Sequence, residues 1–112
     1  MSEDNRSEQK GAYSTIHYQE YLKLDQILNA QVLRSEALEK PAHEEMLFIV
    51  VHQVYELWFK QIIHELESII DLFADEEVIE SSINAAVGRL NSIEAILKLM
   101  VEQIGIMETM TP

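Results

Sequence analysis

The chain has 112 residues, with 20 acidic and 8 basic side chains and a formal net charge of −12. This length allows one small domain, and a hydrophobic content of 47% is typical of a globular chain rather than a disordered one. The acidic balance argues against nucleic acid or anionic membrane surfaces as partners, because both require clustered Lys and Arg. The absence of cysteine excludes a disulfide framework and a thiolate metal site.

The N-terminus is polar, with no apolar residue between Met1 and Gly11. A segment of that composition cannot bury enough apolar surface to fold, so we expect residues 1–12 to be a disordered tail and residues 13–112 to be helical. The same segment lacks the apolar core of a secretory signal, and no apolar run approaches the roughly 18 residues of a membrane span. We therefore expect a cytoplasmic protein with no membrane contact.

Helical periodicity begins with Tyr13–Leu33, which we predict to be a first helical segment. Two tyrosines in this segment, Tyr18 and Tyr21, lie one turn apart and can present their rings together. They are either half-buried core residues or part of a functional surface. The following stretch, Arg34–Ala42, is a predicted connector, because Pro41 ends the element that precedes it.

The segment His43–Phe73 contains no Gly or Pro and predicts one long helix. Glu44 and Glu45 at its start suit the positive end of the helix dipole. Its apolar residues form one broad arc that is wide enough to be packed from two sides. This arc consists of Leu47, Val51, Val54, Trp58, Ile62, Leu66, Ile69 and Phe73.

His52 departs from this pattern. At about 100° per residue it lies about 40° from Phe48, beside Phe59 and Ile63 and away from the polar side of the helix. We expect its imidazole to be largely desolvated and to have a hydrogen-bonding role. Spacing leaves two interpretations open. His52 is a core residue bonded to a carbonyl or to Glu56, or it is a pocket histidine with Phe48 as its aromatic neighbour.

A third helix is predicted from about Glu77 to about Met107, with a near-heptad apolar stripe that suits packing along another long helix. The stripe consists of Ile79, Ile83, Val87 (with Ala86), Leu90, Ile93, Leu97, Met100, Ile104 and Met107. Gly88 and Gly105 lie within it, and we expect close packing or a local bend at each. The predicted fold is all-α, with a short N-terminal helix and two long antiparallel helices. Because the central arc is wider than one partner covers, other polypeptide is expected to cover the remainder.

The four histidines do not form a recognisable metal motif. The sequence contains neither Glu-x-x-His nor His-Glu-x-x-His. His52 and His64 are about 18 Å apart along one helix and cannot share an ion. We predict no metal ligand in this chain.

Three motifs give the sequence a resemblance to a known family. They are Y-x-x-Y-L-x-L-D at Tyr18–Asp25, H-x-E-x-L-F-I-x-x-H-Q-x-x-E-L-W-F-K at His43–Lys60, and I-L-K-L-x-V-E-Q followed by M-E-T-M-T-P within Leu90–Pro112. The chain resembles the N-terminal part of the tryptophan 2,3-dioxygenases, haem enzymes that open the indole ring of L-tryptophan. One departure is Glu44, where the family usually has Asp.

The resemblance implies haem b as cofactor, L-tryptophan and dioxygen as substrates, N-formylkynurenine as product in the kynurenine pathway of tryptophan catabolism, and an all-α homotetramer. His52 matches the distal-pocket histidine that bonds the indole N–H, which makes it the candidate catalytic residue. Phe48 matches the aromatic residue that packs beside the indole near the haem. Tyr18, Tyr21 and Leu22 match residues that cross to a neighbouring subunit and close its substrate pocket.

In the family, the proximal haem histidine and the arginine that pairs with the substrate carboxylate both follow the position of Pro112. We therefore expect this 112-residue chain to be inactive by itself. The alternative is a non-catalytic helical module of the same descent that serves oligomerisation or interaction.

Overall fold

A computed structural model describes residues 17–38, 42–74 and 76–110 of the chain. Within these ranges there are five helical segments and no strand, which confirms the all-α prediction. The segments are residues 17–22 (α1), Leu24–Ile27 (α2), Arg34–Ala37 (α3), Glu45–Leu72 (α4) and Glu80–Met107 (α5). The chain divides into two compact units, Met1–Arg34 and Ser35–Pro112. The predicted disordered tail, residues 1–12, lies outside the described residues.

The N-terminal unit corrects the prediction of a single helix over Tyr13–Leu33. Lys23 has φ 52° and ψ 48°, a left-handed conformation that separates α1 from α2. A residue with a Cβ in this conformation crowds the following carbonyl oxygen. Because Lys is otherwise a good helix former, nothing in the local composition indicated this break.

The end of α2 also has a local cause. The side-chain amide of Asn29 donates to the carbonyl oxygen of Asp25 at 2.7 Å, and that of Gln31 donates to Ile27 at 2.9 Å. In a continued helix these two carbonyls would accept backbone N–H groups. At Asp25 the Asn29 side chain takes that place, and at Ile27 the Gln31 side chain is joined by the backbone N–H of Ala30 at 3.3 Å, a turn contact. The helix therefore does not extend to Leu33.

The central helix, α4, agrees with the prediction to within two residues at each end. It begins at Glu45, and Phe73 closes it with a backbone N–H that reaches the carbonyl oxygens of Ile69 and Ile70 at 3.3 and 3.1 Å. The predicted connector before it contains the one-turn helix α3. The third predicted helix, α5, begins at Glu80 rather than near Glu77, because Ile79 is extended, with φ −95° and ψ 162°.

Two hydrogen bonds between α4 and α5 define their direction. The Tyr55 hydroxyl donates to the carbonyl oxygen of Met100 at 2.8 Å, and the Arg89 guanidinium reaches the carbonyl oxygen of Ser68 at 3.4 Å. Moving forward along α4 therefore means moving backward along α5. The helices are antiparallel, as predicted, and form a hairpin.

The core of this hairpin is narrow. Its buried side chains are Val51 on α4 and Ala86, Ile93 and Met100 on α5. The three on α5 are spaced by seven residues, the repeat expected where two helices pack at a shallow angle. Other residues of the near-heptad pattern predicted for this helix are exposed instead, including Ile83, Val87, Leu90, Leu97 and Ile104. The prediction that the whole stripe packs on α4 is wrong, because α4 contacts only one side of it.

The two glycines of α5 do not mark a close approach. A Cβ at either Gly88 or Gly105 would have no heavy atom within 4 Å among the described residues, and α5 runs through both positions. The expected close packing is therefore wrong at both. No described helix contains a segment that is both long and apolar enough to cross a bilayer.

The bond between Tyr55 and Met100 allows a direct test of the hairpin. Tyr55→Phe removes the hydroxyl and should lower the free energy of unfolding by about 1 kcal/mol, the usual net value of one such bond. Chemical denaturation followed by circular dichroism measures the change. Tyr21→Phe is the control, because the Tyr21 ring is 83% exposed. Equal stability of the two variants would contradict a structural role for the bond.

The left-handed backbone at Lys23 gives a second test. Glycine adopts this conformation without steric cost, whereas a β-branched residue strongly resists it. Lys23→Gly should therefore protect the amides of residues 17–28 better than Lys23→Val, with opening free energies that differ by about 1–2 kcal/mol. Hydrogen exchange with mass spectrometry measures this protection. The reverse order would show that the backbone at Lys23 is not left-handed.

Candidate functional site

Phe48 and His52 form the structural unit that the sequence singled out. They lie one turn apart on α4, with ring centroids 4.3 Å apart and ring planes tilted by 38°. The Nδ1 atom of His52 lies 2.7 Å from the carbonyl oxygen of Phe48. The predicted bond to a carbonyl is therefore present, and its acceptor is the residue that also supplies the aromatic neighbour.

This bond determines which nitrogen of the imidazole carries the proton. A carbonyl oxygen can only accept, so Nδ1 of His52 must donate. In the neutral ring, Nε2 is then an unprotonated acceptor. The side chain presents a hydrogen-bond acceptor to any donor that approaches its outer edge.

The expectation that the His52 imidazole is largely desolvated is wrong for the described chain. His52 is exposed, and Phe48 beside it is 47% exposed. The reason is that α5 packs on the side of α4 that contains Val51, about 60° from Phe48 and about 100° from His52. The core interpretation of His52 therefore fails, and a pocket at this position requires other polypeptide to cover it.

His52 belongs to an uncovered apolar strip of α4, which we call the open face. Its members fall within a sector of about 60° and are all exposed. They are Phe48, His52, Phe59, Ile63, Leu66 and Ile70. Only Leu66 of the open face belongs to the arc predicted from the sequence. The other members border that arc, and the described residues leave them without a packing partner.

A second apolar strip on α5, which we call the α5 stripe, lies on the same side of the hairpin. It consists of Ile83, Val87, Leu90, Leu97, Val101 and Ile104, all exposed. The uncovered residues are rotated away from the buried ones by about 60–120° on α4 and by about 20–120° on α5, in the same rotational sense. In an antiparallel pair, equal rotations away from the contact bring both strips to one side. The two helices therefore share one broad apolar surface.

The register of the hairpin places His52 beside the α5 stripe. His52 lies one turn before Tyr55, and Ile104 lies one turn beyond Met100, the acceptor of the Tyr55 hydroxyl. Antiparallel pairing puts His52 and Ile104 at the same level. The exposed acceptor nitrogen of His52 therefore lies on an apolar side of the hairpin, with the Phe48 ring beside it. A polar atom among apolar side chains suits an apolar ring with a polar edge.

Tyr55 is a residue whose role the sequence analysis missed. Its ring stacks with Phe59 at a centroid distance of 6.4 Å and an interplanar angle of 25°, while its hydroxyl bonds α5. Tyr55 thus connects the helix–helix contact to the aromatic part of the open face. Its position three residues after His52 is a signal that could have identified it.

The three N-terminal site residues lie together on α1. Tyr18, Tyr21 and Leu22 follow a spacing of three and one, so they share one face of the helix. The rings of Tyr18 and Tyr21 are 61% and 83% exposed. The interpretation as half-buried core tyrosines is therefore wrong, and an outward-facing surface remains.

A hydrogen-bonded cluster before α4 is a further feature that sequence reasoning missed. The Oε1 atom of Glu45 accepts from the backbone N–H and from the hydroxyl of Ser35, at 3.0 and 2.6 Å. The Ser35 Oγ accepts in turn from the backbone N–H of Ala42 at 3.0 Å. We call this group the Ser35–Glu45 clamp. Glu45 had been assigned only to the helix dipole, and no signal in the sequence pointed to Ser35.

Comparisons with known proteins agree with the resemblance. The family model described as tryptophan 2,3-dioxygenase matches residues 2–112. A tryptophan 2,3-dioxygenase of Alteromonas mediterranea is 58% identical over 96 residues, which are 86% of this chain and 26% of the relative. One of Bdellovibrio bacteriovorus is 51% identical over 89% of this chain and 28% of the relative. One of Anopheles gambiae is 55% identical over 91% and 26%. The chain thus spans about a quarter of the length of these relatives.

Proposed function

This chain belongs to the tryptophan 2,3-dioxygenase family, and we propose that it supplies the substrate-facing part of a haem-dependent enzyme that converts L-tryptophan and dioxygen to N-formylkynurenine. The observation that carries the proposal is the acceptor nitrogen of His52 on an apolar face beside the Phe48 ring. An indole has one N–H donor on an otherwise apolar ring. The two partners match in polarity.

In this proposal, His52 orients the substrate. Its Nε2 accepts the indole N–H, and Phe48 packs against the ring. The bond between Nδ1 and the Phe48 carbonyl holds the imidazole in the accepting tautomer, so no proton has to move before the substrate binds. His52 acts here through binding and orientation.

The open face also suits a porphyrin. A porphyrin is a planar, mostly apolar ring, and the exposed rings of Phe48 and Phe59 offer it an apolar surface. We propose that Phe48 contacts both substrate and haem b. The haem, when bound, supplies the dioxygen chemistry, and this chain's residues bind the substrate and exclude water. None of the four histidines is proposed as its axial ligand.

Other polypeptide is required to complete the pocket. The open face and the α5 stripe expose a continuous apolar surface that a stable protein covers, and the α1 residues Tyr18, Tyr21 and Leu22 present a matching aromatic surface. We propose that the α1 residues of one subunit close the pocket of a neighbour in a homotetramer. We also propose a cytoplasmic location, because a chain without cysteine has no need of an oxidising compartment.

The role of His52 is tested in the haem-loaded native protein. His52→Ala removes the acceptor for the indole N–H and should lower kcat/KM for tryptophan about tenfold, corresponding to one buried hydrogen bond. The penalty should be much smaller with 1-methyltryptophan, which has no indole N–H to donate. Steady-state kinetics with both substrates measure the difference.

His64→Ala is the control for this experiment, because His64 is exposed on the opposite, polar side of α4. The Soret band of His52→Ala should remain that of a histidine-ligated haem, since the ligand is proposed to lie elsewhere. An equal loss with both substrates would refute the hydrogen bond to the indole. A protein that neither binds haem nor turns over tryptophan would favour the non-catalytic module.

The exchange of α1 between subunits has its own test by complementation. A Tyr21→Ala subunit and a His52→Ala subunit are each expected to have weak activity as homo-oligomers. In a mixed oligomer, one type of site combines intact His52 with the intact Tyr21 of its neighbour. Co-expression should therefore restore activity above the mean of the two homo-oligomers, measured after purification with two affinity tags. Activity equal to that mean would show that Tyr21 serves its own subunit.

A further inference from the structure

The Ser35–Glu45 clamp closes the chain into a loop in front of α4. It consists of three hydrogen bonds of 3.0, 2.6 and 3.0 Å, and both side chains are half-buried. One carboxylate oxygen accepts two donors from Ser35, and charge-assisted bonds of this kind are stronger than neutral ones. The backbone at Ser35 and at Ala42 is thereby attached to the first residue of α4.

The three bonds of the clamp do not satisfy the free N–H groups of the α4 terminus. The first residues of a helix have N–H groups without partners, and an acidic side chain near the terminus commonly serves them. The N-cap residue, Glu44, makes no such side-chain bond, and Glu45 directs its Oε1 to Ser35. The donors that the clamp satisfies belong to the connector, not to α4.

Ser35 lies at the boundary between the two units of the chain, and this position suggests a role for the clamp. Ser35 is the first residue of the C-terminal unit, and Arg34 is the last residue of the N-terminal unit. The clamp therefore holds the residue that joins the C-terminal unit to the segment with Tyr18, Tyr21 and Leu22. No helix is present between Ile27, where α2 ends, and Arg34, so the clamp acts on α1 and α2 through a non-helical tether.

We propose that Ser35 and Glu45 are positioning residues for pocket closure, an inference that rests on the proposed function. By holding the exit point of the N-terminal segment, the clamp raises the effective concentration of the closing residues at the neighbouring pocket. Without it, the closed state is less populated, and the apparent affinity for tryptophan falls by the same fraction. Saturating tryptophan restores the closed state, so the loss affects KM rather than kcat.

The experiment compares Glu45→Ala and Ser35→Ala with the conservative variants Glu45→Gln and Ser35→Thr in the haem-loaded native protein. Gln keeps an acceptor oxygen and Thr keeps the hydroxyl. Glu36→Ala is the control. It removes the same charge as Glu45→Ala, at a side chain that is exposed beside Ser35. We expect the two alanine variants to raise KM for tryptophan several-fold, on the scale of a lost tether, with kcat within about twofold. The conservative variants should stay near the Glu36→Ala value.

Hydrogen exchange supplies a readout that does not depend on turnover. The Ser35 amide should exchange faster in Glu45→Ala, and the Ala42 amide faster in Ser35→Ala. Unchanged exchange at both amides would overturn the clamp itself. Faster exchange with a KM equal to that of Glu36→Ala would overturn its positioning role. If His52→Ala retains wild-type kinetics, the proposed function fails instead, which is a separate outcome.

Discussion

The one-sided contact between α4 and α5 is the constraint on which the rest of the structure depends. Residues spaced by seven on α5, namely Ala86, Ile93 and Met100, pack along one side of α4, and this narrow seam leaves both helices with a second apolar side. The antiparallel direction turns those two sides the same way. Four buried side chains among the described residues make only a small core, and the apolar surface beside it remains uncovered.

The long helices could be predicted from sequence because each has a period that nothing interrupts. Because no Gly or Pro interrupts α4, its continuity could be predicted. The helix α5 continues through Gly88 and Gly105 without a break. The N-terminal segment could not be predicted in the same way. Its helices end where Lys23 turns left-handed and where the amides of Asn29 and Gln31 replace backbone donors. These are choices between competing hydrogen bonds of similar strength, and periodicity does not report which one wins.

For the candidate site, too, some features could be predicted from the sequence and others could not. The angle of His52 around α4 correctly placed it beside Phe48, because the helical period alone determines that angle. Its burial was wrong, because an angle does not say which side of an amphipathic helix a neighbour covers. The Ser35–Glu45 clamp could not be predicted from the sequence for another reason. It joins residues ten positions apart across a connector, and no periodic pattern relates them.

The tautomer of His52 follows from the helix itself. In an α-helix the carbonyl oxygen of Phe48 already accepts a hydrogen bond from the backbone N–H of His52. The same oxygen also accepts the hydrogen bond from Nδ1 of the His52 ring. The bond therefore needs nothing beyond one turn of α4. Whatever polypeptide covers the open face meets an imidazole whose outer nitrogen already accepts. Orientation is thus supplied locally, while desolvation, which gives such a bond its strength, must be supplied by the covering partner. The proposed function thus assigns the orientation of the substrate to this chain, and the exclusion of water to the polypeptide that covers the open face.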